Sequence, residues 1–192
     1  MIGPLKHEHI DEVVRLHSSA LKGDFLPSLG IAFLTTFYRA LINEPNTYTL
    51  VYYQKGQVQG FVIGTSNMTS FLKNILKKRF LEFSLLIAYQ IIKNPRLLKN
   101  VFETLFYTKR ESGPKAELVI IAVDQKHRGQ GIGKTLIKAL EKIFLENKIR
   151  EYKLTVIAGK EAVGFYSYLK FRPIGYFNLY GKRWLVLEKN IV

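Results

Sequence analysis

The stretch R-G-Q-G-I-G-K-T, Arg128 to Thr135, decides how this chain is read. It directly follows the apolar run Leu118 to Val123 and directly precedes a helical pattern, Leu136 to Phe144. A glycine-rich turn from strand to helix gathers unpaired backbone N–H groups at the positive end of a helix dipole, which is a place for a phosphate. Working outward, the C-terminal part alternates: strand Glu117 to Val123, the glycine turn, helix Ile132 to Glu146, strand Tyr152 to Ala158, helix Lys160 to Lys170. Two further strands, P-I-G-Y-F-N-L-Y and R-W-L-V-L-E-K, meet at Gly181 and Lys182. Strand, helix, strand, helix with a parallel crossover calls for an α/β sheet covered by helices.

Upstream, Ile10, Val13, Val14, His17 and Leu21 recur at helical spacing and predict a helix over residues 8 to 21. His17 falls on its inner face, the place of a packed, hydrogen-bonded histidine, and His7 and His9 match no metal-ligand spacing. After the loop K-G-D-F-L-P, Ser28 reads as an N-cap for a second helix through Ile42, stopped by Asn43 and Pro45. The β-branched and aromatic runs T-Y-T-L-V-Y-Y and Q-V-Q-G-F-V-I-G-T then form a hairpin. From Asn67 to Lys115 the pattern is helical: a long apolar and basic run interrupted at Pro95, then a stripe of Leu97, Leu98, Val101, Phe102, Leu105 and Phe106. This segment is short for a second domain and long for a loop, so residues 67 to 115 read as a helical insertion within one domain, 1 to 192, closed by the turn E-S-G-P.

Composition narrows the partners. At 192 residues, 47% hydrophobic and 23% charged, the chain is globular. Its 29 Lys and Arg against 15 Asp and Glu, a formal charge of +14, favour anionic partners. Half of that excess lies in the insertion, with ten Lys and Arg against three Glu. Zero cysteines exclude disulfides and thiolate chemistry and agree with a reducing compartment. The N-terminus carries acids and histidines where a signal peptide needs an apolar stretch, so a cytoplasmic location is expected. No run of 18 or more apolar residues is present.

The ending G-K-T suggests an ATP or GTP P-loop, yet Arg128 stands where that motif needs its first glycine. The next apolar strand, Y-K-L-T-V-I-A-G, also ends without the acid that would hold magnesium. A dinucleotide fingerprint fails as well, because Lys134 occupies its third glycine position. The stretch resembles instead the acetyl-CoA loop of the GNAT superfamily of N-acetyltransferases, [QR]-x-x-G-x-[GA] after an apolar strand, here Arg128, Gly129, Gln130, Gly131, Ile132 and Gly133. The later A-V-G-F-Y-S-Y-L-K-F is similar to the family's second motif: Ala162, Tyr166 and Phe171 keep its offsets. The resemblance covers residues 117 to 171, with Gly159 where many members carry Asn and Lys170 where they carry Gly.

The resemblance implies a mixed, mostly antiparallel twisted sheet flanked by helices, with splayed central parallel strands and the insertion between the third and fourth strands. It implies acetyl-CoA as co-substrate, held by main-chain groups of Ile121, Ala122 and Val123 and by the loop from Arg128 through Lys134. It makes Tyr166 the candidate acid for the departing thiolate, with packing on its helical face as the other reading. By resemblance to the histone-acetylating branch Glu117 is a candidate base or else a strand-end acid, and Asp24 and Phe25 lie where acceptors enter. Zero cysteines argue against a thiol-bound acyl-enzyme. The expected acceptor is a small-molecule amine, for which the charge argument suggests an anionic one: an amino sugar or a nucleotide-linked amino sugar. Nucleic acid is not expected as a partner. The insertion is open to three uses: a lid, a homodimer contact, or a rest on an anionic membrane surface. The alternative function is a non-catalytic module that binds an acyl-CoA, a polyanion or a membrane surface.

Overall fold

Alternation along β2 (Thr47–Gln54) and β3 (Gln57–Thr65) sets the layers. Val51, Phe61 and Ile63 join one buried cluster while Leu50 and Val62 join another, so this part of the sheet is buried on both faces. The structure, a computed structural model, describes residues 1–107 and 113–192. Its seven strands run in the order β1-β2-β3-β4-β5-β7-β6, adding β1 (Ile2–Pro4), β4 (Glu117–Val123), β5 (Glu151–Ile157), β6 (Arg172–Leu179) and β7 (Lys182–Asn190). Every neighbouring pair is antiparallel except β4 with β5. This is the mostly antiparallel α/β sheet expected.

One face is covered by α1 (Ile10–Ala20), the single turn α2 (Phe25–Ser28), α3 (Gly30–Leu41) and, from between β3 and β4, α4 (Met68–Lys78), α5 (Phe80–Lys93) and α6 (Leu97–Tyr107). The other carries α7 (Ile132–Glu146) and α8 (Ala162–Tyr168). Helix α7 lies close on β3 because Gly64 has no side chain: a Cβ there would meet Leu140 Cδ1 at 2.6 Å and Phe144 Cζ at 2.9 Å.

Several expectations change. Ser28 is the last residue of α2 rather than an N-cap, its Oγ donating back to the Phe25 carbonyl, and Gly30 at φ 88° turns the chain into α3. The long apolar run breaks at Arg79 (φ −137°, ψ 43°), where Lys78 reaches the Ala40 carbonyl and Glu44 while Arg79 turns to Glu82. The final hairpin turns on Tyr180 and Gly181, not one residue later, because a two-residue loop between Leu179 and Lys182 needs positive φ at both positions, here 54° and 71°. The first two residues of the expected E-S-G-P turn lie outside the described residues, as does the Phe106 side chain. Among the described residues no helix is long and apolar enough to cross a membrane.

Candidate active site

Strands β4 and β5 part almost as soon as they meet. Their parallel register holds only Glu117 with Lys153 and Leu118 with Leu154. Directly after, the β3–β4 register skips Val119: Gly64 pairs with Leu118 and Ile63 with Ile120. An extra residue in one strand bends it and increases its twist, so the bulge at Val119 swings β4 away from β5, which stays paired with β7 along its whole length.

The opening is a cleft of about 710 Å³. Its walls are Leu118 to Ile121 of β4, Thr155 to Ile157 of β5, Ala162 and Tyr166 of α8, His17 of α1, Asp24 and Phe25 before and within α2, and Tyr180 and Trp184 of the last hairpin. Arg128 sits at its edge, Nε 3.5 Å from the Val123 carbonyl. Tyr166, Ile121, Arg128, Asp24 and Phe25, distant in sequence, therefore share one cavity.

At its mouth Gly131 takes φ 79° as the cap of α7, a conformation costly for side-chain-bearing residues. Beyond its chain neighbours no atom lies within 4 Å of where its Cβ would stand, so the turn is open at this glycine. Gly129 and Gln130 are likewise exposed. Gly133 has a different reason from its neighbour: a Cβ there would press on Phe165 Cζ at 3.3 Å, so this glycine lets α8 pack on α7. Ile132 and Ala122 are buried, so their side chains serve the core and only their main chain is available. Lys134 turns from the mouth toward α8, with its ammonium 3.3 Å from the Tyr168 hydroxyl.

Tyr166 is buried against Phe165 and Phe171, and burial pushes its phenol up to about 12. It stays protonated at neutral pH. Asp24 holds the N-cap position of α2 in extended backbone without a side-chain cap bond, and burial raises its carboxyl above the usual range while Lys182 and Lys160 pull it back. Glu117 lies outside the cleft lining: it is 2% exposed and faces Lys153 in register, one residue before the strands part. Val123 and Gly129 to Lys134 also lie outside that lining, at or beyond the mouth.

Sequence reasoning placed His17 in the core but missed that it also lines the cleft. Its Nδ1 shares a 2.7 Å hydrogen bond with the Tyr38 hydroxyl, and burial lowers it to about 4. Tyr180 was legible only as one of several hairpin tyrosines. At the positive-φ tip it stacks on Phe25 at 5.0 Å and is held from α6, where Glu103 accepts its N–H and Thr104 shares a 2.7 Å hydrogen bond with its hydroxyl. The insertion thus reaches the wall of the cleft.

A mostly antiparallel sheet that opens at one parallel pair, with a glycine turn at the mouth, is an acetyltransferase architecture. Residues 18–171 match the model of the acetyltransferase (GNAT) family, and the chain belongs to that family. The ribosomal-protein-alanine N-acetyltransferase of Brucella melitensis is similar in structure at a TM-score of 0.66 and 16% identity, over 100% of this chain and 99% of that one. The ribosomal-protein-S18-alanine N-acetyltransferase of Escherichia coli gives 0.64 and 15%, over 100% and 93%. The PaiA N-acetyltransferase of Thermoplasma acidophilum, solved in complex with coenzyme A, gives 0.61 and 16%, over 99% and 98%. At these identities the likeness is one of fold. No curated protein matches the chain significantly.

Proposed function

We propose that the protein is an acetyl-CoA-dependent N-acetyltransferase that acts in the cytoplasm on the primary amine of a small anionic acceptor, a nucleotide-linked amino sugar being the class that fits. The observation that carries this is the single cleft shared by the open edge of β4, the Tyr166 phenol and the Asp24–Phe25 loop. Coenzyme A would lay its pyrophosphate on the N–H groups after Gly131 beside Arg128, and its pantetheine arm along the backbone that β5 leaves unpaired from Val119 to Val123. The acceptor would enter beside the stacked Phe25 and Tyr180 rings, where Lys22, Lys160 and Lys182 supply the positive charge an anionic group needs.

The amine must lose a proton to attack the thioester carbonyl. Of the two acids named from the sequence, Asp24 lines the cleft, and its raised carboxyl makes it the better base; we assign it that role and leave Glu117 to its place opposite Lys153. As the new C–N bond forms and the C–S bond breaks, charge gathers on sulfur. A phenol at about 12 does not fully protonate a thiolate of about 8.5, so Tyr166 acts as a hydrogen-bond donor to that charge.

The test is thiol release from acetyl-CoA over a panel of nucleotide-linked amino sugars. The control acceptor is an alanine-bearing ribosomal-protein peptide, after the names of two structural relatives. Tyr166→Phe is expected to lower kcat roughly a hundredfold with coenzyme affinity unchanged. Asp24→Asn should remove the acidic limb of the pH profile, which Glu117→Gln should leave in place. Coenzyme binding without turnover of any amine would favour a binding module, and absence of coenzyme binding would sink the reading.

A further inference from the structure

Helix α5 carries two apolar faces. Phe83, Leu86, Ile87 and Ile91 pack inward on the core. Leu81, Leu85, Tyr89 and Ile92, at helical spacing on another side, are 75%, 72%, 53% and 80% exposed. The next helix, α6, repeats the pattern: Leu97 is buried while Leu98, Phe102 and Leu105 stand half out in solvent. The apolar stripe read from the sequence of α6 is therefore half exposed at Leu98, Phe102 and Leu105. Scattered exposed apolar residues need no explanation, but two ordered stripes on consecutive helices do.

The charges of α4, α5 and α6 are one-sided. Lys78, Arg79 and Lys99 are matched by Glu44, Glu82 and Glu103. Among the described residues Lys73, Lys77, Lys93 and Arg96 have no acid partner, and both described acids of the insertion are already engaged. Lys93 lies on the exposed stripe itself, its ammonium 4.3 Å from the centroid of the Tyr89 ring. A second copy of the chain would bring the same unmatched positive charges against these. A polyanion such as RNA would satisfy the lysines and leave the aliphatic side chains in water. An anionic bilayer satisfies both, headgroups meeting the ammonium groups while leucine and isoleucine enter the acyl boundary. With 14 residues, α5 is about 21 Å long, short of the roughly 30 Å hydrocarbon core, so it lies along the surface.

We infer that the outer faces of α5 and α6 form a docking surface for an anionic lipid bilayer. This stands independently of the catalytic reading, since none of the stripe residues lines the cleft.

Vesicle co-flotation of the full chain tests it, with phosphatidylcholine alone and with about one phosphatidylglycerol in four lipids. Binding should be about tenfold or more tighter to the anionic vesicles and weaken as salt rises. The double variant Leu85→Ser, Ile92→Ser, at two exposed positions, should lose about tenfold or more of that binding with an unchanged circular dichroism spectrum. Lys93→Ser with Arg96→Ser should lose a similar factor and flatten the salt dependence. Failure to float with anionic vesicles overturns the inference, as does flotation that the stripe variants leave intact. So does a sedimenting homodimer that the stripe variants dissociate while vesicles go unbound.

Discussion

His17 is the residue whose surroundings carry the clearest measurable consequence. Packed between Tyr38 and Phe61 and lowered to about 4 by burial, it refuses a proton that the unfolded chain accepts near 6.5. Its contribution to stability is therefore complete above about pH 6.5 and is lost as pH falls through about 4, a difference of about 3 kcal/mol between pH 7 and pH 4. His17→Asn keeps a polar atom toward Tyr38 and removes the titration. Whatever it costs at pH 7, the variant should show that much less acid destabilisation in urea unfolding than the parent, and parallel pH curves for the two would contradict this. At this scale a motif tied residue type to place for Tyr166 and Arg128, while Asp24 was named only from its loop; all three line the cleft, and their roles belong to the proposal. It was uninformative for Glu117, whose position in E-L-V-I-I-A-V says nothing of which end of the strand opens. It also hid the role of Gly133, which depends on Phe165 some thirty residues later.

At the scale of elements, the helices between β3 and β4 are part of the core. Phe83 is almost fully buried and meets Phe33 of α3 with ring centroids 5.0 Å apart, and Thr36 of the same helix donates to Glu82 at 3.1 Å. Phe83→Ala should therefore destabilise the protein by about 3–5 kcal/mol in denaturant titration. A cost below about 1 kcal/mol would mean that α5 merely rests on the domain. The existence and type of the insertion's helices were legible from periodicity, but the break at Arg79 was not, since it depends on Lys78 reaching across to Ala40 and Glu44. The bulge at Val119 was equally hidden. In a strand apolar at almost every position, two neighbours sharing a face leave no gap in the pattern.

For the whole molecule, element order from Glu117 onward could be read because strands and helices alternate between strong punctuators, Gly129, Gly131, Gly159 and Gly181. The first strand could not, because I-G-P is too short and too poor in β-formers to signal itself and exists only by pairing with β2. What no local pattern could convey is how the sheet is joined. Residues 151–190 form a three-stranded unit, β5-β7-β6, fastened to the rest of the sheet through two register pairs. Considered as a boundary of cooperativity, that seam predicts two units of different local stability, joined by the buried cluster that Tyr152 and Leu154 share with Leu136 and Leu140. In native-state hydrogen exchange without ligand, the amides of β5, β6 and β7 should open together at a lower free energy than those of β2 and β3. Coenzyme A at about a hundred times its Kd should raise the protein's stability by about 2.7 kcal/mol and draw the two openings toward one. Uniform exchange across the sheet in the absence of ligand would refute this division. On the proposed reading the gap between β4 and β5 has a thermodynamic meaning: coenzyme A would supply the missing rung of the ladder, and the unliganded protein would be the state in which the chain is least a single cooperative body.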